Sequence, residues 1–233
     1  AAIQPLPDGR LLARWPFADA GDLRDWPAVA VRPDDVKGLP PLVLLAAPTP
    51  PVVEVRGLVL RGQGRLRCVL GFEAPLVIEY DLAYLRTDAE RRASDSNEPP
   101  PEEKITNVFQ LDFCENGYGS HLRCSWYGSL TALDKLGVQF RQQKSTLDDA
   151  YVDTSYHVRI EHDGLEVRTL VDGVQVARVE AIGLKRGFLE LLHHSDREVV
   201  LRNVSVEGRL DRGALAPARD AWVAARMTER QAR

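Results

Sequence analysis

Apolar and polar residues alternate with a period of two over most of the chain, in short runs punctuated by Gly, Pro and Asp. That period is the mark of strands with one buried face. In "SYHVRIEHDG", Tyr156, Val158 and Ile160 face one way while His157, Arg159 and Glu161 face the other. The Asp163-Gly164 and Asp172-Gly173 pairs sit between such runs, where Asp-Gly supplies the positive φ of a tight hairpin. The same reading gives strands at "RLLARWPF", "VVEVRGLVLRG", "RLRCVLGFE", "LVIEYDLAYLR", "ITNVFQLDF", "HLRCSWYGS", "LEVRTLVDG", "VQVARVEA", "GFLELLHH" and "EVVLRNVSVE". Many strands with almost no internal helix predict an all-β, two-sheet jelly-roll sandwich.

Two segments break the pattern. Thr87 to Lys104 is charged, Pro-rich and without apolar anchors, and reads as a mobile insertion at 87–104 within a sandwich domain spanning 1–210. From 211 to 233, Pro217 suits a first helical turn, and Leu215, Ala218, Trp222 and Ala225 recur at helical spacing. This short C-terminal amphipathic helix is expected to dock on its own sandwich or on a protein partner, self-association included, through Leu215 and Trp222.

Composition narrows the function class. With 34 acidic and 30 basic residues, the chain lacks the basic face of a nucleic-acid binder. No apolar run approaches the ~20 residues of a membrane span. The opening "AAIQPLPDG" leaves two readings open: a mature exported chain after removal of a signal peptide, or a trimmed chain for which a cytoplasmic location stands. The three cysteines fit either compartment, since Cys114 and Cys124 could pair across a hairpin or all three could stay reduced.

The stretch from Gly187 to Gly208, "GFLELLHHSDREVVLRNVSVEG", carries a family resemblance. A strand, a turn with histidine and a closing strand with Arg-Asn-Val resemble the end of the concanavalin A-like lectin/glucanase sandwiches, in particular the family of 3-keto-disaccharide hydrolases. Gly187, Leu191, His194, Arg202, Asn203 and Val204 follow that order, with one extra residue in the turn. "DAGDLRDW", Asp19 to Trp26, is similar to the family's opening segment, and "LVIEYDLAYLR" to its early core strand. The departures are Leu192 for the family's Gln, Ser195 for its Gly, and "TNVFQLDF" where an Asn-Ser-Gly motif belongs. The resemblance implies a concanavalin A-like fold and a 3-keto-glycoside hydrolase or lyase, with His194 as a helper.

"QLDFCE", Gln110 to Glu115, resembles the Glu-x-Asp-x-x-Glu signature of laminarinase-type retaining glucanases. Retaining hydrolysis needs two carboxyl groups about 5 Å apart. Asp112 and Glu115 match two of the three positions and become the acid/base candidates, while Gln110 replaces the nucleophile with an amide. Read without the resemblance, Asp112 is a polar strand residue and Glu115 belongs to the turn "ENGYGS". Tyr118, Trp126 and Tyr127, in the most aromatic stretch, are candidate platforms for sugar rings or else core residues. His193, His194 and Asp196 read as a turn rather than as metal ligands, because adjacent strand residues point to opposite faces. The sequence assigns no metal site and no cofactor. Carbohydrate is the expected partner, either as substrate or as the ligand of a non-catalytic glycan-binding or assembly module.

Overall fold

The computed structural model describes residues 1–29, 49–86, 108–114, 121–127, 129–136, 151–180 and 185–213. Among them run eleven strands: β1 (Ala2–Pro5), β2 (Leu11–Trp15), β3 (Val52–Glu54), β4 (Gly57–Leu85), β5 (Val108–Cys114), β6 (His121–Tyr127), β7 (Ser129–Leu136), β8 (Ser155–His162), β9 (Glu166–Val171), β10 (Val174–Glu180) and β11 (Arg186–Leu210). All the pairings between them are antiparallel. The insertion expected at 87–104 and the tail from residue 214, with Leu215 and Trp222, lie outside the described residues.

The strands form two layers because β4 and β11, 29 and 25 residues long, each pass through both. In the first layer, β10, β9, β8, the C-terminal half of β4, the C-terminal half of β11, β2 and β1 follow one another. The start of β4, with β3 alongside, also pairs with β11 there. In the second layer, Gly62–Glu73 of β4 pairs with Arg186–Ser195 of β11, which pairs in turn with β5, then β6 and β7. Both long strands change layer at the same level. Gly62, at φ 64°, is the register partner of Ser195, and the β11 ladder shifts between Ser195 and Glu198. An extra residue bends a strand and sharpens its twist, which lets one strand serve two sheets.

The turn expected around His193–Asp196 is therefore continuous strand with a register shift. Similarly, "RLRCVLGFE" and "LVIEYDLAYLR" are one strand rather than two. β1 and most of β7 were not expected from the pattern. The Arg202-Asn203 pair of the closing strand lies inside the first layer: Arg202 is the register partner of Asp81 on β4, and the pairing with β2 begins at Val204. Asn203 sits in the left-handed region at φ 52°, within a second register shift. Its Nδ2 donates to Asp81 Oδ2 at 2.6 Å, and the other oxygen of Asp81 lies 2.8 Å from His157 Nδ1. Arg-Asn thus fastens a bulge.

The hairpins behave as their sequences require. Burial alternates strictly along β8. Gly164 and Gly173 have φ of 102° and 82°, and the Asp163 carboxylate accepts from the backbone N–H of Leu165 and Glu166. In "DAGDLRDW", Asp19 caps the short 3-10 helix Ala20–Asp25, and Trp26 follows it into the core, edge-on to Trp15 with centroids 5.3 Å apart.

The core lies between the layers. Tyr80 of the first meets Phe109 of the second at 6.0 Å between centroids, and His162 meets Phe113 edge-on at the same distance. Cys68 is buried among these groups, and burial pushes its thiol up to about 12, which leaves it inert. Cys124 is the register partner of Leu111, three positions from Cys114. That offset is roughly 10 Å along the strand, beyond the ~7 Å that a disulfide allows between Cα atoms. In this register the two backbone positions do not meet the spacing that a cross-hairpin disulfide needs.

Thr169 is one of the core residues that break the apolar rule. The hydroxyl of Thr169, fully buried on β9, has no hydrogen-bond partner among the described residues. Thr169→Val keeps the shape and removes the unpaired group, so it is expected to raise the unfolding free energy by about 1 kcal/mol. Urea denaturation measures this, and a loss of stability would mean that the hydroxyl is bonded in solution.

Candidate functional site

On β5, "VFQLDFC", the odd positions Phe109, Leu111 and Phe113 pack into the core. Alternation turns Asp112 to the outer face of the second layer, where it is nonetheless only 4% exposed. The ladder sets it in a row of charged positions: Arg67 on β4, Glu190 on β11, Asp112 on β5 and Arg123 on β6 are successive register partners. Arg65, two residues from Arg67, joins the row through Glu190. The Glu190 carboxylate, 1% exposed, accepts from Arg65 Nη2 and, at 2.5 Å, from Arg67 Nε.

Directly opposed residues of an antiparallel pair have Cβ atoms about 4.5–5.5 Å apart, and like charges there repel. Asp112 and Glu190 are such a pair. Two arginines on Glu190 neutralise the charge that would otherwise oppose Asp112. The result is a compact cluster of two acids and two bases on the polar face of the sandwich, buried except for Arg67.

The other expected site residues spread out from this row. His194 stands at the register position of Gln63 and Val108, four residues along β11 from Glu190, or roughly 13 Å. Gln110 is one step nearer, opposite Leu192 and Ser125. Trp126 is the register partner of Phe109, and Tyr127 closes β6 opposite Ser129. Glu115 and Tyr118 lie outside the described residues. His193 belongs to the core: it is buried, its Nδ1 is 3.1 Å from the Gly62 carbonyl oxygen, and a Cβ at Gly64 would come within 2.6 Å of its Nε2. Gly64 leaves the space that this ring occupies. Among the described residues no group of three His, Cys, Asp or Glu side chains is arranged to hold a metal.

Arg65, Arg67 and Glu190 are the residues that the sequence reading missed. Their local signal is faint: alternating arginines in "RLRC", and one acid inside the apolar "GFLELL". A second ionic group lies at the layer crossing. Glu54 and Glu198 are each bridged by both Arg56 and Arg61, which ties the β3–β4 turn to β11. These arginines hold the Glu54 carboxyl below its usual range.

No protein-family model matches the sequence, and neither does any curated protein. Solved structures match by fold. An endo-acting O-glycanase from the human gut microbiota superposes with a TM-score of 0.60 at 11% identity, over 84% of this chain and 98% of that one. β-Agarase A from Zobellia galactanivorans gives 0.56 at 8% identity, over 86% and 93%. A Bacillus subtilis protein of unknown function with a galectin-like fold gives 0.53 at 14% identity, over 84% and 96%. The chain therefore has the concanavalin A- and galectin-like β-sandwich fold. At these identities the likeness is one of fold.

Proposed function

We propose that this domain acts on or binds glycosides at the polar face of its second layer. The finer reading is the resembled activity, a 3-keto-glycoside hydrolase or lyase. One observation supports it above the others: Asp112 and Glu190, carboxylates from two neighbouring strands, oppose each other beside two arginines on the face away from the core. In this reading Asp112 is the proton-transfer group. Glu190, engaged by two guanidiniums, holds the charge balance rather than acting as an acid. Glu115 remains a proposed acid/base residue, His194 a proposed helper, and Tyr118, Trp126 and Tyr127 proposed platforms.

A second reading, a non-catalytic glycan-binding module, has its own support. The nucleophile position of the glucanase signature is Gln110, and an amide cannot form the covalent glycosyl ester. A panel of neutral glycans and 3-keto-glycosides separates the two, with cleavage followed by NMR and binding by calorimetry. For an enzyme, Asp112→Asn is expected to lower turnover about 100-fold or more. Binding without cleavage selects the module, and the glycoside reading is overturned if no neutral glycan, 3-keto-glycoside or acidic oligosaccharide is bound or cleaved.

A further inference from the structure

Of the four ionisable side chains gathered around Glu190, three are buried: Glu190 itself, Arg65 at 3% and Asp112 at 4% exposure. Arg67 alone reaches solvent, with 31% of its side chain exposed. Its guanidinium is fixed from two directions. Nε donates to the buried Glu190 carboxylate, and Cζ lies 5.7 Å from the centre of the half-buried Phe188 ring. Its Nη1 and Nη2 groups meet no acceptor among the described residues. Arg56, Arg61 and Arg159 differ, since each is shared between two carboxylates at the surface.

We propose that Arg67 reads a carboxylate on the ligand, so that the glycoside engaged at this face is a uronic acid-containing one. The inference rests on the glycoside reading above and names its substrate class. A guanidinium presents its N–H groups as a planar fork that fits a carboxylate with two parallel hydrogen bonds. Here the fork is held before any ligand arrives, which removes part of the ordering cost of binding. Glu190 is spent on the inner edge of the same group and is too deep to repel an incoming anion at the outer one. Val69, two residues along β4 from Arg67 and 40% exposed, adds apolar surface on the same face for the C–H face of a pyranose. The chain as a whole carries a formal charge of −4. It has no general attraction for anions, and a preference for uronates has to come from a local group.

The test is calorimetric titration of the whole chain with a mixture of tri- to hexasaccharide oligouronates, and with the same mixture after its carboxyl groups are reduced to alcohols. The unreduced sugars are expected to bind at least tenfold more tightly. Arg67→Gln should erase that difference, and Arg67→Lys should keep part of it. Equal binding of both sugars by the wild type, or a preference that survives in Arg67→Gln, overturns this proposal and leaves the glycoside reading standing. If neither mixture nor any neutral glycan binds, both fall. Should Arg67→Gln fail to fold, the Nε–H resonance of Arg67 in the wild type decides: it should move with oligouronate and not with the reduced sugar, and a stationary resonance overturns the proposal.

Discussion

Glu190→Gln is expected to cost about 3–5 kcal/mol of unfolding free energy, because it removes the carboxylate paired with the buried Arg65 guanidinium. The geometry explains why the loss is large. Both partners are almost wholly out of water, and a charge desolvated without compensation is far more expensive than the pair together was worth. The same argument predicts the sign of a control. Replacing both partners with apolar residues of similar volume, Arg65→Met with Glu190→Leu, removes the charges together and should cost less than Glu190→Gln alone. Arg67→Gln should cost about 1 kcal/mol or less, since its guanidinium keeps contact with water. Chemical denaturation of the four proteins measures the set. A Glu190→Gln variant within 1 kcal/mol of wild type would mean that water or other groups compensate Arg65 in solution and would overturn the expectation.

The fold was legible where its causes are local. Asp-Gly at 163–164 and 172–173 fixes two hairpins within a few residues, and the alternation in β8 follows from one buried face. It was not legible at the layer crossings. A strand that leaves one sheet for another must bend, and at Gly62 and at Ser195–Glu198 the bulge breaks the period of two as a turn does. "HHSD" therefore read as a loop, although the ladder continues through it. The candidate site divides in the same way. Asp112 could be picked from a motif on one strand. Glu190 and Arg65 acquire meaning only when paired, and their hydrogen bond joins residues 125 apart in sequence. No window along the chain contains both.

Gly57→Ala is expected to destabilise the fold by about 3 kcal/mol or more, the largest effect predicted for any single methyl group added here. Gly57 starts β4 at φ 123°, a conformation that residues with a Cβ rarely adopt. Space is lacking as well: an added Cβ would lie 2.4 Å from the Leu201 carbonyl oxygen and 2.7 Å from Arg202 Cγ. A carbonyl of a central strand cannot swing away as a side chain can. The side chain of Arg202 is also engaged, its Nε donating to the Arg56 carbonyl oxygen one residue before the glycine. The close approach thus belongs to the junction at which β3, β4 and β11 meet, next to the Glu54–Arg56–Glu198–Arg61 ion pairs. Gly9 supplies the comparison. It too has a positive φ, 78°, but nothing lies within 4 Å of the point where an added Cβ would stand, so Gly9→Ala carries only the backbone strain of about 1–2 kcal/mol. Thermal unfolding of both variants separates strain from collision. Equal losses would show that β11 does not press on Gly57, and that the two long strands cross more loosely than their register implies.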